Sequence, residues 1–131
     1  MRTIKFRGKC STVSCYKGEW VCGFYVQSDD GDSLIVRYIT DTVSTTYHVE
    51  SNTVSQFTGL FDKNGKEIYE GDILKMPGVI QKLEVRFVRG VFAFLWEGNL
   101  DDEFPTGSPT HEWAEVIGNI YDNPRMLKKR H

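Results

Sequence analysis

Apolar and polar residues alternate along most of this chain, and turn-forming residues interrupt the alternation about every eight to twelve positions. A period of two sends successive side chains to opposite faces of a strand, whereas a helix needs a period of about 3.6. Helical spacing is scarce here. Short strands at regular intervals between turn signals point to an all-β barrel or sandwich.

The strands can be placed from the pattern. Residues 2–7 alternate, with Ile4 and Phe6 on one face. Residues 19–27 are aromatic and β-branched, Ser28-Asp29-Asp30-Gly31-Asp32 is a turn cluster, and residues 33–40 return as the second arm of a hairpin. Residues 42–49 are extended in character, and 54–61 form a further strand. Asp62-Lys63-Asn64-Gly65 is the clearest turn. Gly65 takes φ > 0 at no steric cost, as a type I turn followed by a bulge requires. Residues 66–76 read as a strand interrupted at Gly71, and 79–88 and 91–96 as strands around Arg89-Gly90. A loop then runs over residues 97–112, acidic at Glu97, Asp101, Asp102 and Glu103, with Pro105, Gly107, Ser108 and Pro109 after it. A strand resumes over 113–121, and Pro124 suits the first position of a short terminal helix, 125–129. The expected core is Ile4, Phe6, Val54, Leu60, Ile68, Ile73, Val85, Phe87, Phe92, Phe94, Val116 and Ile117. Residues 79–88 are expected at a sheet edge.

A chain of 131 residues is long enough for one hydrophobic core, and 40% hydrophobic with 26% charged residues is ordinary globular usage. The net charge of −2 lacks the overall basic footprint of a duplex-DNA binder, although a local patch stays open. No apolar run nears the roughly 20 residues that span a bilayer, and MRTIKFRGKC leads into no apolar stretch of a signal peptide. The expected setting is the cytoplasm, with no membrane partner. Three cysteines without a secretion signal argue against a disulfide framework.

Two long stretches carry a resemblance. One runs from Val49 to Ile73 and contains Phe57-Thr58-Gly59-Leu60-Phe61-Asp62-Lys63-Asn64-Gly65-Lys66-Glu67-Ile68-Tyr69-Glu70-Gly71-Asp72. The other is Glu115-Val116-Ile117-Gly118-Asn119-Ile120-Tyr121-Asp122-Asn123-Pro124. With Ile4-Lys5-Phe6-Arg7-Gly8, Trp20 and Gly23, the chain resembles the YopX-like family of phage and prophage proteins over about residues 2–127. The resemblance implies an SH3-type β-barrel and a bacterial host. It implies no activity, cofactor or catalytic residue. The resulting expectation is a single all-β domain over residues 1–127. It has a β-rich N-terminal hairpin extension (1–50), a barrel core (51–124), a short C-terminal helical turn and a basic tail at 128–131. The residues agree: Glu70-Gly71-Asp72-Ile73-Leu74 suits a sharp entry into a small barrel, with Asp accepting local backbone hydrogen bonds.

Few groupings carry chemistry. Asp62, Glu67, Glu70 and Asp72 are enough carboxylates for Mg²⁺ or an acid/base pair, but each also suits a turn or a solvated strand face. Lys66 and Ile73 stand where a calcium loop needs ligands. Cys10, Cys15 and Cys22 with His48 or His111 are a loose zinc set, and small buried thiols explain them better. A Cys/His nucleophile pair matches no local signature, and no Gly-rich phosphate loop exists. The chain is therefore expected to be no enzyme and to take no cofactor or metal.

Two surfaces remain. Trp96, Leu100, Asp101, Asp102 and Phe104 give the acidic loop aromatic and apolar anchors suited to a basic protein partner. Lys5, Arg7 and Lys9 beside Phe6 and Trp20 suit a single-stranded nucleic acid. The leading expectation is a non-catalytic module binding a host or phage protein. Single-stranded nucleic-acid binding is the alternative, and homo-oligomerisation stays open.

Overall fold

The computed structural model describes residues 4–11, 16, 18–104 and 110–127. It is all-β with almost no helix, and the chain divides into two compact units, Met1–Phe57 and Thr58–His131.

In the first unit, β1 (Phe6–Lys9), β2 (Trp20–Gln27), β3 (Ser33–Tyr38) and β4 (Ser44–Val49) form an antiparallel meander. A single 3₁₀ turn, Ser51–Thr53, leads into β5 (Ser55–Phe61), whose Ser55 and Gln56 pair with Arg7 and Phe6 of β1. The order in this unit is therefore β4-β3-β2-β1-β5. Alternation sorts the side chains. Cys10, Val21, Ile35 and Val49 are buried on one face, with Phe6, Tyr47 and Val54 packed against them. Cys10 is disulfide-bonded and Cys22 is free, so the expectation of a small buried thiol in place of a disulfide does not hold at Cys10.

β5 continues into the second unit and neighbours β6 (Glu67–Tyr69). Asp62 organises the turn between them. Its Oδ1 accepts the N–H groups of Asn64 and Lys66 at 2.8 and 2.9 Å, and its Oδ2 accepts that of Val116 at 3.0 Å. Next come β7 (Asp72–Lys75), β8 (Lys82–Val88), β9 (Val91–Trp96), the one-turn helix α1 (Thr110–Trp113) and β10 (Glu115–Asn119). Asp72 Oδ2 accepts the Tyr69 N–H at 2.8 Å, the local cap expected at the entry to β7. The second sheet is antiparallel in the order β10-β7-β8-β9, and β10 carries an extra residue, Ile117, between the pairs Val116–Leu74 and Gly118–Ile73. Its core is Ile68, Leu74, Leu83, Val85 and Ala114, with Leu60, Met76, Phe94, Trp96, Phe104 and Val116 packed around them.

Several expectations change. Among the described residues no pairing joins β9 to β10, so no closed barrel is found. β8 lies between β7 and β9 rather than at an edge, and β9 and β10 are the sheet's edges. Pro124–Leu127 form turns and bends instead of a helix; residues 128–129, the end of the expected helix, and the basic tail lie outside the described residues. Ile4 precedes β1 and is 60% exposed, and Phe87 is 47% exposed near the free end of the β8–β9 hairpin. No helix among the described residues is long and apolar enough to cross a membrane.

Candidate functional site

Glu84 and Arg86 are two residues apart on β8, so both point to one face of the sheet. Across β9, Glu84 stands opposite Leu95 and Arg86 opposite Ala93, and both partners are buried. The Glu84 carboxylate is buried too. It is satisfied by a two-pronged contact: Arg86 Nε donates to Oε2 at 2.9 Å and Nη2 to Oε1 at 3.0 Å. Such a fork geometry gives each carboxylate oxygen an N–H donor from the same guanidinium.

The chain beyond β9 folds over this pair. Glu97 takes a left-handed backbone (φ 51°), and Gly98 follows with φ 73°. A Cβ on Gly98 would lie 2.6 Å from Glu84 Oε1 and 3.4 Å from Leu127 Cδ1, so glycine permits the close approach. Glu97 is anchored to β8: its N–H donates to the Lys82 carbonyl at 2.7 Å, and its Oε1 accepts the Lys82 N–H at 2.9 Å. The turn is closed by Trp96 N–H to Asp102 carbonyl (2.9 Å) and Asp102 N–H to Asn99 carbonyl (3.0 Å). Phe104 N–H then meets the Phe94 carbonyl at 2.8 Å, carrying the chain back along β9. The result is a cleft of about 390 Å³ lined by Glu84, Arg86, Glu97, Gly98, Asn99, Leu100, Asp101 and Leu127. One cation faces three carboxylates there, and that cation is already committed to Glu84.

The sequence-derived loop residues separate into two groups. Leu100 (55% exposed) and Asp101 stand at the cleft. The Trp96 and Phe104 rings meet at 5.6 Å, tilted by 55°, and pack on the core. Asp102 is half-buried and serves the turn through its main chain. Glu84 and Arg86 were missed because alternating charges on a strand read as a solvated face. The opposite signs two residues apart were the available signal.

The basic N-terminal residues lie in the other unit and are engaged with aromatic rings. Lys5 Nζ is 5.3 Å from the Phe57 ring centre. The Arg7 guanidinium carbon is 4.5 Å, and Lys9 Nζ 5.9 Å, from that of Trp20. Arg7 is buried and Lys9 half-buried.

The remaining groupings do not converge. Among the described residues no three His, Cys, Asp or Glu side chains are placed to hold a metal ion. Asp62 and Asp72 cap backbone, and Glu67 Oε1 accepts the Tyr69 hydroxyl at 3.1 Å. Of the proposed zinc set, Cys15 and the His111 side chain lie outside the described residues. A second cleft, about 380 Å³, is lined by Ser11, Asp32, Ser33, His48, Val49 and Ser51.

Comparison with known proteins places the chain in a family. Two crystal structures cover essentially the whole chain. Protein EF1440 from Enterococcus faecalis is 24% identical with a TM-score of 0.56, over 98% of this chain and 100% of that one. Protein yopX from Bacillus subtilis is 20% identical with a TM-score of 0.56, over 100% of both chains. At these identities the likeness is one of fold. No curated protein matches the chain. The family model for YopX protein matches residues 5–128, and the chain belongs to the YopX family.

Proposed function

We propose that the chain is a non-catalytic protein-binding module of a phage or prophage, working in the cytoplasm of a bacterial host. Its docking site is the acidic cleft at the end of β8–β9, and its partner is a host or phage protein presenting a cationic side chain beside an apolar one. The observation that carries this reading is the cleft lining: outside the Glu84–Arg86 pair it holds two carboxylates, Glu97 and Asp101, and no further cation, with Leu100 exposed at the rim. Carboxylates accept hydrogen bonds and attract cations, and an exposed leucine offers an anchor, a pairing common at transient interfaces. The phage setting rests on the family resemblance. The finer fold reading, an SH3-type barrel, goes with the proposal and is supported by the β5–β6 hairpin and the β10-β7-β8-β9 sheet.

The test is comparative capture from bacterial lysate, read by mass spectrometry. A protein retained by the natural chain and lost by Leu100→Ala with Asp101→Lys is the expected result. Truncating a rim anchor and reversing its neighbouring charge should weaken binding by about 2 kcal/mol or more. Equal capture by both proteins removes the cleft from consideration.

A further inference from the structure

Leu127 is the last described residue, and it forms part of the wall of the acidic cleft. The turn after β10 brings it there. Asn123 N–H donates to the Asn119 carbonyl at 2.8 Å, and Met126 N–H to the Asn123 carbonyl at 3.1 Å. Asn123 Oδ1 accepts the Asn119 N–H at 3.2 Å, which closes the turn from the other side. The chain therefore leaves this turn at the cleft, with Leu127 beside Gly98. The four residues that follow are Lys128, Lys129, Arg130 and His131. Extended, four residues span at most roughly 14 Å. That length is enough to cross a cleft of about 390 Å³.

Charge makes this segment a fitting occupant. Glu84, Glu97 and Asp101 line the cleft against Arg86 alone, which leaves two negative charges in excess. Arg86 is paired with Glu84 at 2.8 Å. Lys82 shares the face of β8 that carries Glu84 but does not line the cleft. Glu97 Oε1 accepts the Lys82 N–H, and Asp101 is exposed. The residues after Leu127 bring Lys128, Lys129 and Arg130 to this excess. One exposed ion pair contributes little, roughly 1.5- to 5-fold in an equilibrium. A group tethered beside its site nevertheless competes at an effective concentration on the order of millimolar. Leu127-Lys128-Lys129-Arg130 also has the pattern assigned above to a partner, a cationic side chain beside an apolar one.

We propose that residues 128–131 occupy the acidic cleft of their own chain, with Lys128, Lys129 and Arg130 set against Asp101 and Glu97, and that a partner docks by displacing them. The inference rests on the cleft's being a site for cations and adds how that site is regulated. A tail held in cis turns away surfaces that offer charge alone. A partner that also supplies an apolar anchor for Leu100 gains what the tail does not give, so the tail sharpens selectivity by raising the threshold for entry.

The experiment is nuclear magnetic resonance on the full chain labelled with nitrogen-15. At low salt, the triple variant Lys128→Gln, Lys129→Gln, Arg130→Gln should differ from the natural chain at the amides of Gly98, Asn99, Leu100 and Asp101, and not at those of β7. The difference should close in salt of about 1 M, where the screening length falls to about 3 Å. Asp101→Lys should free the tail, read as a fall in the heteronuclear NOE of residues 128–130. The peptide acetyl-Leu-Lys-Arg-amide, titrated into both chains, should bind the triple variant about fivefold more tightly. Three results would overturn the proposal. One is identical cleft amides in the natural chain and the triple variant at low salt, or a difference that persists at high salt and so reports only the local substitution. Another is a tail whose heteronuclear NOE is that of an unfolded chain and is unmoved by Asp101→Lys. The third is a set of cleft shifts that grows with protein concentration as the chain dimerises, which would give the cleft to a second copy's tail. No partner enters these readouts, so this inference and the partner capture fail separately.

Discussion

Asp62 shows how one side chain can hold a turn and a distant strand together. It is buried, which by itself would raise its carboxyl pKa. The N–H groups of Val116, Lys66 and Asn64, with the Lys66 charge, outweigh burial and hold it below its ordinary 3.8. A depressed carboxylate contributes stability above its unfolded value, and that contribution is lost as pH falls through the folded value. Asp62→Asn should therefore cost about 2 kcal/mol at neutral pH, because the amide nitrogen cannot accept one of the N–H groups. The gap from the natural protein should narrow below about pH 4, as the natural carboxyl is protonated. Urea denaturation at pH 7 and pH 3 checks both statements, and an unchanged gap would show that the charge is irrelevant. Gly118 makes a different case. Its cost on substitution is steric, since a Cβ there would lie 2.4 Å from Asn123 Oδ1 and 3.1 Å from Met126 Cε. That Asn123 oxygen accepts the Asn119 N–H, while Asn119 Oδ1 accepts from Tyr121 and Asp122. Gly118→Ala should displace this cap and lower stability by about 1–3 kcal/mol, measurable as a lower melting temperature.

Among the elements, the β8–β9 hairpin decides the character of the cleft. The Glu84–Arg86 pair is asymmetric, the carboxylate side chain being 5% exposed and the arginine 38%. Removing the arginine leaves a buried charge alone, whereas removing the carboxylate charge leaves an arginine that water can reach. Arg86→Met should thus cost about 3 kcal/mol, and Glu84→Gln about 1 kcal/mol. Equal costs in denaturant melts would contradict the asymmetry. The same hairpin shows where sequence reading stops. Alternation places Val85 correctly in the interior, because Glu84 and Arg86 occupy the other side of its strand; Ile68 and Ile73 are interior too, although Tyr69 and Leu74 are buried on the opposite sides of their strands. In β9 the run Val91-Phe92-Ala93-Phe94-Leu95-Trp96 is apolar on both faces, and a period of two cannot choose between them. Ala93 and Leu95 are the fully buried set, and Phe94 and Trp96 are packed less deeply on the core. The loop after β9 was legible as acidic and exposed at Leu100 and Asp101. Its ordering against Glu84 was not, because main-chain hydrogen bonds and a left-handed Glu97 leave no mark in composition.

At the scale of the whole molecule, each unit owns a core. Cys10, Val21, Ile35 and Val49 close the first, and Ile68, Leu74, Leu83, Val85 and Ala114 the second. The motifs that carry the family resemblance fall mostly in the second unit, where Asp62, Asp72, Gly118 and Asn119 have turn-building roles. They made the family legible without revealing a site, since turn chemistry specifies backbone path rather than ligand. Separate cores predict separate opening. Local unfolding follows contiguous packed units, and a cavity in one of them raises its own opening first. Ile35→Val removes one methylene at a fully buried position of the first core and should cost about 1 kcal/mol there. Amide exchange of β2 and β3 should then accelerate roughly fivefold, while β7 and β8 keep their natural protection. Leu74→Ala should produce the reverse pattern, with a larger effect of about 2–5 kcal/mol, because three side-chain carbons are lost from a site with no solvent access. Hydrogen exchange read by mass spectrometry distinguishes the outcomes directly. If either substitution accelerates both sets of strands by the same factor, the chain opens as one cooperative body and the two cores have no energetic independence.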